Sequence, residues 1–229
     1  MLKRVCVIPA RGGSKRLPRK NVIEFFGKPM IAYSIEAAIA SERFARVVVS
    51  SDDVETLDIA RRFGADPIER KSTLASDTAR VSEVLLDFLD QEEADGRTYD
   101  IVSCLFAAAP LRRTEDVTAV IDLIKPGECH FSIAVTEYDL PPHQALKLEA
   151  DGALRPMWPE LVDLRDEYVG KLVVDNGSTY AATVDAFQKQ KNFYGSPLRG
   201  HAMPRERSVD LNSAVDLEIA KVHYRQLNG

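Results

Sequence analysis

Cysteine is scarce and poorly placed for chemistry. The three present, Cys6, Cys104 and Cys129, are odd in number and widely spaced, with no Cys-x-x-Cys. Neither a disulfide framework nor a zinc site is expected of them. Cys6 and Cys104 stand inside apolar runs and read as small core residues. No apolar stretch approaches the roughly 18 residues that a membrane helix needs, so no membrane span is expected. The start, MLKRVCVIPARGG, has too short an apolar run for a signal peptide and no small-residue cleavage site, so the expected compartment is the cytoplasm. A surplus of positive charge is also missing. Thirty Lys and Arg stand against 35 Asp and Glu, a formal net charge of −5, which argues against a general nucleic-acid binder. No internal repeat, low-complexity tract or Pro/Gly linker divides the chain. Its 229 residues suit a single domain, 1–229, carrying one insertion.

Against that acidic background, one segment is strongly cationic. Arg11, Lys15, Arg16, Arg19 and Lys20 fall within ten positions that contain no acid. They directly follow KRVCVIPA, an apolar run that reads as a buried strand. Strand-like and helix-like patterns then alternate. PMIAYSIEAAIAS has helical spacing behind Pro29, ARVVVSS is β-branched, and Asp52 with Glu55 resembles a capping box that opens VETLDIARRFGA, ended by Gly64. The amphipathic ARVSEVLLDFLDQEEA, the apolar DIVSCLFAAAP, TEDVTAVIDLI capped by Thr114, and CHFSIAVTE continue the rhythm. Nearly continuous apolar strands alternating with helices predict an α/β fold, a mostly parallel sheet with helices on both faces.

The rhythm breaks over residues 138–172, which hold four prolines, an Asp-Gly turn and the chain's one Trp, and predict an inserted arm with its own hairpin. Regular patterns return in NGSTYAAT, VDAFQKQ and LRGHAMP, and in a last helix opened by Ser213 and Asp216. The arm's leucines, with Met157 and Trp158, outnumber what a lone hairpin buries on itself, so it is expected to build a homodimer.

Ligands of open α/β sheets bind beyond the carboxyl ends of the strands, where the cationic loop lies. Gly12 and Gly13 let the backbone approach a ligand closely, while Arg and Lys supply the charge. Charge alone leaves two readings, a polyphosphate cradle or a solvated basic loop. The spacing fits neither GxxxxGK[ST] nor GxGxxG.

IPARGGSKRLPRKN followed by GKPMIAYSIEAA resembles the start of the acylneuraminate cytidylyltransferase family. The resemblance continues in order through VVVSSDDVE, LASDTA, APLR, NGSTY and SVDLNSAVDLEIA, nearly the whole chain. It implies a Rossmann-like nucleotide-binding domain that uses Mg²⁺ and CTP, joins CMP to the anomeric oxygen of a nine-carbon 2-keto sugar acid and releases pyrophosphate. In that likeness Arg11 and Lys20 hold the triphosphate, with Gly12, Gly13, Ser14 and Lys15 beside them and Asn21 near the nucleotide. Arg70 takes the place of a cytosine-contacting arginine, and Asp77 lies in the following motif. Asn176 matches a sugar-pocket position, and Arg165 in the arm lies close to a sugar-binding arginine. From their place just past the strand Ile101–Phe106, Arg112 and Arg113 read either as able to reach the sugar's carboxylate or as a surface pair at a helix start. Asp210 matches a metal-binding aspartate. The family's Asp-x-Asp here reads Asp210-Leu211-Asn212, so Asn212 would give a neutral oxygen and one charge is lost. Phe106 to Ala109 also lack the polar Gln-Pro-Thr-Ser run of sialic-acid-activating members, and lie nearer the pseudaminic acid branch, whereas DNGSTY lies nearer the sialic and legionaminic forms. The sugar stays open on this reading, as do a related sugar nucleotidyltransferase and a catalytically inactive homologue.

Overall fold

The computed structural model describes residues 2–76 and 78–229. The first strand, β1 (Arg4–Pro9), is buried along Val5 to Ile8, as a strand covered on both faces must be. The cationic loop follows and ends in a tight hairpin, β2 (Glu24–Phe25) and β3 (Lys28–Pro29), turned by Phe26 and Gly27 at positive φ. Then come α1 (Met30–Ala40), β4 (Arg46–Ser51), α2 (Val54–Arg62), β5 (Asp66–Glu69), α3 (Val81–Ala94), β6 (Ile101–Leu105), α4 (Thr114–Asp122) and β7 (Phe131–Glu137). Within the expected arm lie β8 (Leu146–Leu148), β9 (Leu154–Pro156) and the short α5 (Asp166–Val169), and β8 and β9 pair antiparallel through the Asp151-Gly152 turn. The chain closes with β10 (Val173–Thr183), α6 (Val184–Gln190), β11 (Leu198–Ala202) and α7 (Ala214–Asn228).

The seven-stranded sheet has the order β11-β7-β10-β6-β1-β4-β5. Every pairing is parallel except those of β10, which runs against β6 and β7. The arm is the reason. It returns the chain from β7 without a helical crossover, and a strand returned that way lies antiparallel. Helices α1, α2 and α4 cover one face around Ile35, Ile59 and Val120, while α3 and α6 cover the other around Leu85, Phe88 and Phe187. After β5 the chain crosses back past β1 to form β6, so the order reverses between β1 and β6. Their carboxyl ends open the crevice where such folds bind ligands.

Three local expectations shift. β5 escapes the sequence pattern because it carries Pro67, which is tolerated there since β5 is an edge strand. Asp53 rather than Asp52 caps α2, accepting from the Thr56 amide, because the Asp52 carboxylate turns instead to the amide of Gly12. The cap of α4 is Arg113, one residue before Thr114, and its amide is held by the Asp116 carboxylate.

At the far end of α3, Glu92 is 4% exposed in its side chain and accepts from Arg97, Tyr99 and Arg46, joining α3 to β4 and to the turn before β6. The Arg97 hydrogen bonds, against the cost of burial, bring its carboxyl down to about 2. A depressed folded value contributes stability that is complete above the unfolded value, about 4.3 for Glu, and is lost as pH falls through the folded one. Stability should therefore decline as the pH falls from about 4.3 toward 2. Glu92→Gln should cost about 2 kcal/mol in urea unfolding at pH 7 by leaving two guanidinium groups without their shared anion. An unchanged midpoint would remove Glu92 from the stabilising contacts.

Candidate active site

At the carboxyl edge of the sheet lies a cleft of about 700 Å³. Its walls gather Arg11, Ser14, Lys15, Arg16, Lys20 and Asn21 from the first loop, Arg70 and Ser76 from the segment after β5, Phe106 to Ala108 from the end of β6, and Gly177, Asp210 and Asn212 from the C-terminal part. Most nucleotide residues expected from the sequence, Arg11, Ser14, Lys15, Asn21 and Arg70, thus meet, and Asp210 joins them from far along the chain. Asp77 lies outside the described residues.

Each wall is held for a physical reason. Arg11 donates to the Ser76 carbonyl at 3.3 Å, closing the first loop against the segment after β5. Asn21 is buried, and its amide donates to the Arg11 carbonyl at 2.9 Å, so it braces the loop from behind. Lys20 reaches across to the Leu211 carbonyl at 2.8 Å. Burial pulls its ammonium below the ordinary lysine value, Asp210 opposes that pull, and Arg16 and Arg11 add to it. Arg70 is buried and spends Nη2 on the Ser50 carbonyl at 2.6 Å and Nε on the Ser50 hydroxyl at 3.3 Å. Burial lowers its guanidinium, with Asp52 opposing and Arg11 reinforcing the shift.

The C-terminal wall depends on Leu211, fully buried among Phe25, Met30, Leu111 and Ala220. With that side chain turned inward, its neighbours Asp210 and Asn212 face the cleft. Ser213 and Asp216 cap α7 reciprocally, and Asp216 also accepts from the Asn212 amide at 2.9 Å, so one Asp216 oxygen fixes the start of α7 behind the cleft. A bulge in β10 between Asp175 and Tyr180 brings Gly177 alongside Asp210. Gly177 has φ +65°, and a Cβ there would lie 3.7 Å from the Asp210 carboxylate.

Several expected contacts fall elsewhere. Gly12 and Gly13 border a smaller adjoining pocket that includes Asp52 and Asp53. The Gly12 amide is engaged by Asp52 at 2.9 Å, so it is a hinge of the loop rather than a phosphate donor. Asn176 is buried, with its amide donating to Ser208 Oγ at 3.1 Å and its oxygen accepting from the Ser178 amide, so it pins the bulge and lines no part of the cleft. Arg112 is 4% exposed and donates to the Ser178 and Phe106 carbonyls and the Ser34 hydroxyl; it lies beneath the floor, where no sugar can touch it. Arg165 precedes α5 on the exposed arm, away from this chain's own cleft. Asn212 presents its NH₂ to Asp210 at 2.6 Å and its oxygen to Arg16 at 2.7 Å, which ties the first loop to the C-terminal wall. Lining residues to which the motifs gave no role are Arg16, Gly177 and Phe106 to Ala108, although Arg16 stood among the clustered cations, Gly177 within NGSTY and Phe106 to Ala108 within the run that departs from Gln-Pro-Thr-Ser.

The fold and cleft define a nucleotide-binding α/β protein of the nucleotidyltransferase type, with a cation-rich loop and the Asp210 carboxylate lining one crevice. The chain belongs to the cytidylyltransferase family, whose model matches residues 5–149. It is 34% identical over 225 residues to a pseudaminic acid cytidylyltransferase of Campylobacter jejuni, covering 98% of this chain and 97% of the relative. It is 32% identical over 217 residues to a CMP-N,N'-diacetyllegionaminic acid synthase of Legionella pneumophila, covering 93% of this chain and 92% of that one. A solved CMP:2-keto-3-deoxy-manno-octonic acid synthetase complexed with CTP shares the fold at a TM-score of 0.72 and 20% identity, covering 98% of this chain and 99% of that one.

The hinge role of Gly12 makes a prediction that separates it from Gly13. A Cβ on Gly12 would stand 2.9 Å from the Asp53 Cβ, whereas one on Gly13 meets no described atom within 4 Å. Asp53 is tied down by its cap, so Gly12→Ala should destabilise by about 1–3 kcal/mol, and Gly13→Ala should be nearly neutral. Thermal unfolding of the two variants checks this, and equal midpoints would dissolve the distinction.

Proposed function

We propose that this chain transfers CMP from CTP to the anomeric hydroxyl of a nine-carbon 2-keto sugar acid, with pseudaminic acid the first substrate to test. The observation that carries the proposal is the full-length relatedness to a pseudaminic acid cytidylyltransferase, at 34% identity. The sugar oxygen attacks the α-phosphorus, the bond from that phosphorus to the bridging oxygen of the β-phosphate breaks, and pyrophosphate leaves with the electron pair. The hydroxyl proton passes to solvent. No nucleophilic side chain is needed. What the reaction asks of the protein is to hold two anions together and to stabilise charge growing on the leaving group. Arg11, Lys15, Arg16 and Lys20 supply the charge from one wall of the cleft. Arg70, which lines the same cleft, is the side chain we assign to the base.

Magnesium fits this donor set in one form only. Among the described residues no three His, Cys, Asp or Glu side chains cluster as a metal cage. Among the described residues one carboxylate, Asp210, lines the cleft, which suits an ion held mainly by substrate phosphates and water. Mg²⁺ would there offset phosphate charge and help orient the triphosphate.

Pyrophosphate release from CTP with a panel of nine-carbon sugar acids, with and without Mg²⁺, tests the reaction. Arg11→Ala should lower kcat/KM for CTP by about 100-fold while far-UV circular dichroism stays native. Unaltered kinetics would turn the loop back into a solvated basic surface.

The same proposal includes a homodimer built through the arm, in a cytoplasmic setting that suits three buried, unpaired thiols. Leu140 is 78% and Leu148 70% exposed, and Leu146, Leu154, Met157 and Trp158 add to one large apolar surface. Facing the partner's cleft, Arg165 would gain the sugar contact that its own chain denies it. Light scattering should give twice the chain mass for the intact protein and the monomer mass after deletion of residues 138–172. A monomeric, fully active intact protein would overturn the dimer.

A further inference from the structure

The apolar run at the end of β6 has no side chain able to bind a polar ligand, yet Phe106, Ala107 and Ala108 form part of the cleft floor. Their backbone is held in an unusual way. Beneath the floor, the Ser34 hydroxyl lies 3.0 Å from the Phe106 carbonyl and 2.9 Å from that of Ala107, sharing its one proton. Arg112 Nη2 donates to the same Phe106 carbonyl at 3.3 Å. Both carbonyls are thereby turned down, toward α1. In a planar trans peptide the C=O of one residue and the N–H of the next point in opposite directions. The amides of Ala107 and Ala108 must therefore point up, away from α1 and toward the cleft. Among the described residues neither amide finds an acceptor, although buried backbone donors are nearly always paired.

The arginine behind them points the same way. Arg112 is 4% exposed, and its hydrogen-bond partners, Ser178, Ser34 and Phe106, are all neutral. Its Nε is buried with no acceptor among the described residues. Asp116, the acid whose field reaches it, is itself held by Arg207 and His201. Burial pushes the guanidinium down to about 10, which leaves it charged at neutral pH. A buried cation without a counter-ion is costly, and an anion on the floor above would offset that cost.

We propose that the Ala107 and Ala108 amides, backed by the charge of Arg112, form a subsite for an anionic oxygen of a bound substrate. The oxygen belongs either to the sugar acid's carboxylate or to a nucleotide phosphate. The backbone would then replace the polar side chains absent from this stretch, and Ser34 and Arg112 are positioning residues that aim it. This subsite rests on the cytidylyl-transfer reading of the cleft.

The test is to replace Ala107, and separately Ala108, by lactic acid through chemical ligation or nonsense suppression. Each replacement deletes one N–H and leaves the side chain unchanged. Three readouts accompany each variant: thermal unfolding, CMP affinity by calorimetry, and the KM and kcat for the sugar acid. Among the described residues neither amide donates within the chain, but each ester weakens the preceding carbonyl as an acceptor for Ser34 or Arg112, so a modest fall in the unfolding midpoint with native circular dichroism is expected. Each ester should weaken one ligand by about tenfold or more, as expected for a hydrogen bond to a charged group. A raised sugar KM with unchanged CMP affinity assigns the subsite to the carboxylate, and lower CMP affinity assigns it to a phosphate. If unmodified enzyme turns over while both esters match it in every constant, the subsite is disproved. An unmodified enzyme inactive toward every sugar acid breaks the cytidylyl-transfer reading instead, and CMP affinity unchanged in both esters then rejects the phosphate assignment.

Discussion

The cleft exists because Lys20 crosses it. Its ammonium on the Leu211 carbonyl joins the first loop of the chain to the loop before the last helix, 191 positions away. Leu211 can serve as that anchor because its side chain is fully buried in the Phe25 and Met30 cluster and because α7 is capped immediately behind it. The consequence is electrostatic. Burial, with Arg16 and Arg11, depresses the Lys20 ammonium, and among the described residues Asp210 and Asp216 oppose them. Cations gathered in this way make the cleft complementary to a polyanion such as a triphosphate.

Two buried arginines perform a different task from the exposed cations. Arg70 donates to the carbonyl and hydroxyl of Ser50 in β4, and Arg112 to the Ser178 carbonyl within β10 and the Phe106 carbonyl just past β6. A guanidinium offers five donors in a rigid fork, so one side chain can fix the direction of several peptide groups at once. The cleft therefore has a cationic rim and a floor braced from behind. Its floor orients amides, whereas its rim supplies charge.

The arm governs the topology as well as the surface. By returning the chain from β7 without a crossover helix, it forces β10 to run antiparallel. That antiparallel strand carries the bulge at Asp175, whose carboxylate accepts from Tyr180 and from the Gly177 amide. The bulge in turn sets Gly177 beside Asp210. Arm, bulge and carboxylate are thus one mechanical series, and Lys171–Glu137 and Arg205–Asp139 ion pairs hold its root.

The alternation of strands and helices, the position of the arm, its Asp-Gly hairpin and the capping box of α7 were all legible in residue order. Each depends on neighbours within a few positions, where periodicity and turn chemistry act. The cation loop was legible too, since five charges in ten positions need no fold to be noticed. What tertiary structure decided was direction. Arg112 and Asn176 had the right chemistry for a sugar site, but β6 and β10 turn both side chains inward to pin backbone. Gly12 had the composition of a phosphate loop, but Asp52 took its amide. Asn212 had a ligand's oxygen, and Arg16 donates to it. In each case a partner distant in sequence competed for the same donor or acceptor. A hydrogen-bonding group's partner is settled by which groups the folded chain brings within about 3 Å of it, a distance that residue order does not encode.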